Sequence, residues 1–183
     1  MSKTLLSAAL IAGFGIAAFA PQTASAASSG TITINGSIVS STCSVLVNGS
    51  ASPTVTLPTL IDTTLPAGSS GGWTPVNMVL SGCTAIGAYT KVFPYFTGAA
   101  TIDGSTGYLK NQTGGGSNVQ VALSNAASTT GALTLQNASG SQNAGFQSMT
   151  ANSTFAYFAG YVAAAQATAG GVSTTVQYAL NYQ

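Results

Sequence analysis

The sequence predicts an all-β sandwich of one domain. Three observations carry this expectation: apolar side chains recur at every second position in short segments, clusters of Gly, Ser, Asn and Pro separate those segments, and no amphipathic helix of useful length occurs. Successive side chains of a strand face opposite sides, so a period of two is what a half-buried strand requires. No internal repeat and no domain linker interrupts the pattern.

The chain opens with a segment that does not belong to the sandwich. A start containing Lys3, an apolar run from Leu5 to Ala20 and the small residues Thr23-Ala24-Ser25-Ala26 form the three parts of a secretory signal over residues 1–26, with cleavage expected between Ala26 and Ala27. Gly13, Gly15, Pro21 and the small-residue ending argue against an uncleaved membrane span, which ordinarily takes about 20 apolar residues. Removing 26 of the 183 residues leaves 157, enough for one domain with its own core.

The first mature strand is expected over residues 31–39 (TITINGSIV). Ile32, Ile34, Gly36 and Ile38 share one face, and Thr31, Thr33, Asn35 and Ser37 share the other. Such a segment is either the first strand of the sandwich or an arm reaching beyond it, and periodicity does not choose between them. Further strands are expected over 54–57, 76–80, 91–96, 119–123, 133–135 and 155–162, with turn-rich stretches at 48–50, 67–72, 111–117 and 137–145. Residues 163–169 favour helix by propensity but are too few to nucleate one before Gly170-Gly171. The last strand runs to the end of the chain, with Val172, Thr174, Val176, Tyr178, Leu180 and Tyr182 on alternate positions. Chain ends are ordinarily loose, so this strand needs a partner.

Charge is almost absent. Beyond the signal segment only Lys91, Lys110, Asp62 and Asp103 are ionic, and the chain has no Arg, Glu or His. No basic patch exists to neutralise phosphates, which excludes nucleic acid as a partner. A near-zero net charge does little to oppose self-association. Catalytic chemistry is equally scarce: without His there is no Ser-His pair, and the two aspartates lie in turn contexts where carboxylates commonly bond local backbone. No enzyme activity, cofactor or metal site is expected. Cys43 and Cys83 stand 40 positions apart with no short Cys-x-x-Cys spacing, and in an exported chain they read as one disulfide. Closing a loop of that size contributes roughly 4 kcal/mol in the chain-entropy picture. The aromatic clusters Tyr89, Phe93, Tyr95, Phe96 and Phe155, Tyr157, Phe158, Tyr161 are expected in the core, with Phe93 and Tyr95 on one strand face and Tyr157 and Tyr161 on another. Trp73 is expected in a partly exposed loop.

Taken in order, GTITINGSIVSSTCSV (30–45), LSGC (80–83), SNVQVAL (117–123) and YFAGYVAAAQATAGGVSTTVQYALNYQ (157–183) resemble the major-subunit pilins of chaperone-usher fimbriae, related to type 1 fimbrillins. The resemblance covers essentially the whole mature chain; the cysteine spacing, a glycine fourteenth from the end (Gly170) and the penultimate Tyr182 make the combination specific. It implies an incomplete immunoglobulin-like sandwich (41–183) that lacks its final strand, preceded by a donor arm (27–40). A periplasmic chaperone would first cover the resulting groove, and the arm of a neighbouring copy would then replace it at an outer-membrane usher, giving a surface fimbria that supports adhesion and biofilm formation and carries tip or adaptor pilins. On this reading the donor face is Ile32, Ile34, Gly36 and Ile38. The acceptor strand carries Gly170, Val172, Thr174, Val176, Tyr178, Leu180 and Tyr182. Two rival readings are a secreted β-sandwich that binds glycans through Trp73 or the tyrosines, and a minor adaptor pilin.

Overall fold

The structure, a computed structural model, describes residues 31–38, 43–84, 87–149 and 152–183. The signal segment, its Ala26-Ala27 cleavage point and Val39 lie outside them. The chain divides into two units, Met1–Ser37 and Ile38–Gln183. In the first, residues 31–37 join no ladder, and Ile32 and Ile34 are exposed. The alternation predicted over this stretch is therefore present without a sheet.

The second unit is built of strands β1 (Ser44–Val47), β2 (Ser70–Ser81), β3 (Lys91–Thr97), β4 (Gln120–Ser124), β5 (Gln147–Ser148), β6 (Asn152–Val162) and β7 (Gln177–Tyr182). They form two antiparallel sheets, ordered β1-β2-β6-β4 and β5-β3-β7. β2 and β6 make the longest pairing, in which Met78 faces Phe155 and Val76 faces Tyr157. Their inward side chains Met78, Leu80, Phe155 and Tyr157 are buried. The second sheet meets them with Val92, Pro94 and Phe96, and Phe96 packs edge-on against the Tyr157 ring with centroids 5.5 Å apart. The Tyr157 hydroxyl donates to the Ala144 carbonyl at 2.6 Å, which satisfies the polar end of a buried ring. Cys43 and Cys83 form the expected disulfide, closing the end of the β1-β2 pair.

Several expectations are corrected here. Phe93 and Tyr95 are half-buried on the face opposite Val92, Pro94 and Phe96, so they are not the core side of β3. The proline fixes this phase. Lys91 and Gln183 exchange both main-chain hydrogen bonds, and in an antiparallel ladder every second residue then turns its N–H and C=O away from that partner. Pro94 falls on a turned-away position beyond the two-residue ladder with β5, where its missing N–H leaves nothing unpaired. Trp73 is not in a loop. β2 begins at Ser70, and Trp73 sits half-buried at a bulge between Gly71 and Thr74. Its ring covers Gly160, where a Cβ would come within 2.5 Å of the indole. Residues 133–135 do not form a strand, although Leu133 and Leu135 are buried and Leu133 donates to the Leu123 carbonyl. β1 and β5 are too short for periodicity to reveal them.

Where β5 stops, a side chain continues its work. Gln142 is 2% exposed; its Oε1 accepts from the Phe96 N–H at 2.9 Å, and its Nε2 donates to the Phe96 and Leu135 carbonyls at 2.7 and 2.9 Å. A side-chain amide thus closes the edge of β3 as a strand would. Replacing Gln142 with Leu strands the Phe96 N–H and two carbonyls in the interior, so Gln142→Leu should lower unfolding free energy by about 2–4 kcal/mol in a denaturant titration.

Candidate functional site

Two extended segments of the second unit resemble strands in every respect except pairing. In residues 53–57 (PTVTL) Pro53, Val55 and Leu57 are half-buried while Thr54 and Thr56 are exposed. In residues 172–176 Val172, Thr174 and Val176 are half-buried while Ser173 and Thr175 are exposed. Neither segment belongs to a sheet, and β7 enters its ladder only at Gln177, five residues later than alternation predicted. The physical reason is the lack of a neighbour: among the described residues, no hydrogen bond engages the main chain of 53–60. On the other segment Ser173 bonds away from the groove, accepting from the Gln112 N–H at 2.7 Å and donating to the Asn111 carboxamide oxygen at 3.0 Å.

That bonding sets the direction of the rim. Ser173 directs its N–H and C=O toward residues 111–112, and Gln177 and Asn181 further along direct theirs toward β3, so the even-numbered residues direct theirs outward. Val172, Thr174, Val176, Tyr178 and Leu180 consequently present both an inward side chain and an outward main-chain edge. Between this rim and 53–57 lies a groove of about 650 Å³. Its floor is apolar: Met78, Phe96, Leu123, Tyr157 and Ala159 come up from four different strands. A second cavity of about 510 Å³ adjoins it, and Tyr161 and Val172 line both. Burial raises the Tyr161 phenol above its usual range, so it stays neutral.

The acceptor residues named from the sequence divide accordingly. Val172, Thr174, Val176 and Tyr178 line the groove; Leu180 and Tyr182 continue the same inward face of β7. Gly170 lies at the second cavity, where a Cβ would stand 2.5 Å from the Ser117 nitrogen and 2.6 Å from the Gly116 carbonyl carbon. Sequence reasoning missed 53–57 as the facing wall. Its signal was present in the prolines that bracket the alternation, Pro53 and Pro58, which remove main-chain donors and forbid a continuous central strand.

Neither aspartate is placed for catalysis. The Asp62 carboxylate accepts from the Thr63 N–H at 2.8 Å. Asp103 accepts from the Ser105 hydroxyl and N–H, the Thr106 N–H and the Gln120 carboxamide. Led by the Ser105 hydroxyl, these donors hold its pKa at about 2, well below the usual 3.8. Trp73, the main residue of the glycan-binding reading, is packed on Gly160 as described above and does not line the groove.

Two sheets around one core, with a groove of strand length flanked by unpaired main chain, define an incomplete immunoglobulin-like sandwich. The crystal structure of the P pilus rod subunit PapA shares this fold, with a TM-score of 0.59 and 19% identity over 78% of this chain and 99% of that one. The fimbrial protein family matches residues 32–183. The F17 fimbrial protein of Escherichia coli is 40% identical over 174 residues, covering 92% of this chain and 96% of the relative. The major fimbrial subunit SMF-1 of Stenotrophomonas maltophilia is 34% identical over 171 residues, covering 90% and 98%. The chain belongs to the fimbrial protein family; it is a structural fimbrial subunit and not an enzyme.

Any side chain at Gly170 meets backbone atoms that cannot swing aside. Gly170→Ala should therefore lower the denaturant midpoint of the subunit, whereas Gly114→Ala, with open space around it, should leave the midpoint nearly unchanged. Acid should act on the Asp103 turn. A depressed pKa stabilises the fold fully above the unfolded value of 3.8, and that contribution is lost as pH falls through about 2. Thermal midpoints of the native chain should fall over this window, and Asp103→Asn should remove that component of the fall.

Proposed function

We propose that the groove is completed by residues 27–40 of a second copy, and that repetition of this exchange builds the shaft of a surface fimbria. The observation that carries the reading is the pairing of two complementary features in one sequence: an apolar groove whose rim offers unpaired main-chain groups, and an arm with isoleucines on alternate positions. Strand addition uses both, since backbone hydrogen bonds give attachment and alternate side chains fill pockets. Ile32, Ile34 and Ile38 enter the groove with Gly36 between them. Each isoleucine taken from water contributes roughly 1.5–3 kcal/mol, before main-chain pairing and the ordering of the arm are counted.

An exposed apolar edge of this kind aggregates unless covered, which supports a role for a periplasmic chaperone that fills the groove first and an outer-membrane usher at which the arm replaces it. Residues 1–26 direct export and are removed at Ala26-Ala27. Tip or adaptor pilins end the shaft, and the fibre supports adhesion and biofilm formation. The near absence of charge suits a surface whose task is to pack against copies of itself.

Material sheared from cells and run unheated beside boiled on an SDS gel tests the proposal. The native chain should give a ladder of multimers that collapses on boiling. Chains lacking residues 29–38, or carrying Ile34→Arg, should give no ladder. Multimers that persist in either variant would overturn the donor assignment.

A further inference from the structure

Three dipeptides of the chain place Asn or Asp before glycine: Asn35-Gly36, Asn48-Gly49 and Asp103-Gly104. Such pairs are chemically weak, because a glycine has no Cβ to keep its main-chain nitrogen away from the preceding side-chain carbonyl carbon. Attack requires a side chain free to bend onto that nitrogen and a backbone free to leave the extended form. Two of the three pairs are denied this freedom. The Asn48 carboxamide oxygen accepts from the Asn77 N–H at 2.8 Å and its nitrogen donates to the Pro75 carbonyl at 3.1 Å. The Asp103 carboxylate is held by Ser105, Thr106 and Gln120. Asn35 is exposed, and among the described residues no hydrogen bond engages it. Around Gly36 an added Cβ would meet nothing within 4 Å.

We propose that Asn35-Gly36 is a self-modifying site that retires subunits whose arm stays free; its effect on assembly rests on the reading that the arm of a second copy fills the groove. The Gly36 nitrogen bonds to the Asn35 side-chain carbonyl carbon, the bond to the side-chain NH2 breaks, and ammonia leaves with the proton from the Gly36 nitrogen. Water then opens the succinimide ring. Opening at the side-chain carbonyl gives aspartate, and opening at the main-chain carbonyl gives isoaspartate. The balance is one water consumed and one ammonia released, with no oxidant or reductant. Isoaspartate inserts a methylene carbon into the main chain between residues 35 and 36, so Ile38 leaves the face shared by Ile32 and Ile34. Either product adds a carboxylate to a mature chain whose acidic side chains are otherwise Asp62 and Asp103. An arm already laid down as a strand is spared, because ladder bonds hold its backbone extended and keep the nitrogen from the carbonyl carbon.

Ageing the full-length chain at mildly alkaline pH, as purified monomer and as sheared fibres, tests this. Peptide mass spectrometry reads the replacement of NH2 by OH at each asparagine, and a methyltransferase specific for isoaspartate reports the rearranged product. In the monomer Asn35 should convert at least about tenfold faster than Asn48. In fibres Asn35 should convert at least about tenfold more slowly than in the monomer. Fibres grown from aged monomer should hold intact Asn35, with isoaspartate left in the unassembled fraction. Asn35→Gln, which closes a ring far more slowly, should keep its assembly through the same ageing; Asn35→Ser replaces it if the fresh glutamine variant assembles poorly. No conversion at Asn35, or equal conversion at Asn35 and Asn48, overturns the site. Isoaspartate entering fibres as freely as asparagine overturns its role in retiring subunits, and equal conversion in fibres and monomer overturns the protection. Fibres that survive deletion of residues 29–38 sink the arm assignment, and fast conversion at Asn35 would then still establish the chemical site.

Discussion

Main-chain hydrogen bonding is the constraint on which the rest of this structure depends. A buried peptide group without a partner is costly, and among the described residues two facing segments beside the core leave theirs unpaired. The Gln142 amide reaches the Phe96 edge that β5 leaves bare, and Ser173 finds Asn111 and Gln112. Along 53–60 and the outward edge of 172–180 no such substitute exists among the described residues. The inward side chains of these two segments are only half-buried for the same reason. A missing neighbour removes both the ladder bonds and the cover over the core.

The polar surface is arranged to spend its few charges locally. Asp103 is saturated by donors within its own turn and by Gln120, while Lys91 lies 4.4 Å from the centre of the Phe146 ring. Charges held in this way contribute little field at a distance, and solubility rests on Ser, Thr, Asn, Gln and Gly. The groove is correspondingly apolar on its floor.

Much of this was legible in the sequence. Period-two alternation located β3 and β6 closely, because one face of each packs on the core and the other is more exposed, and it located β4 although nearly all of that strand is buried. It also marked both walls of the groove, at 54–57 and from Val172 onward, although it could not tell a paired strand from an extended segment awaiting a partner. The phase of β3 was misread because both Phe93-Tyr95 and Val92-Pro94-Phe96 are apolar sets, and only ladder geometry around Pro94 decides between them. Trp73 was misplaced because its neighbours Gly71 and Gly72 signal a turn, whereas they serve a bulge inside β2. Which core side chains meet to form the floor left no local trace. Met78, Phe96, Leu123 and Tyr157 are brought together by pairings between strands distant in the chain, and such contacts carry no periodic signature.

The closed edges have a consequence for the geometry of growth. β4 is bridged by Leu109 on one stretch and by Ala132 and Leu133 on another, β3 is sealed by β5 and Gln142, and β1 is only four residues long. Among the described residues the groove is therefore the long edge left available, which gives each subunit an acceptor valency of one. If residues 27–40 are the single donor proposed above, such units join head to tail. On that reading no second long edge among the described residues remains for branching, and the product is an unbranched thread.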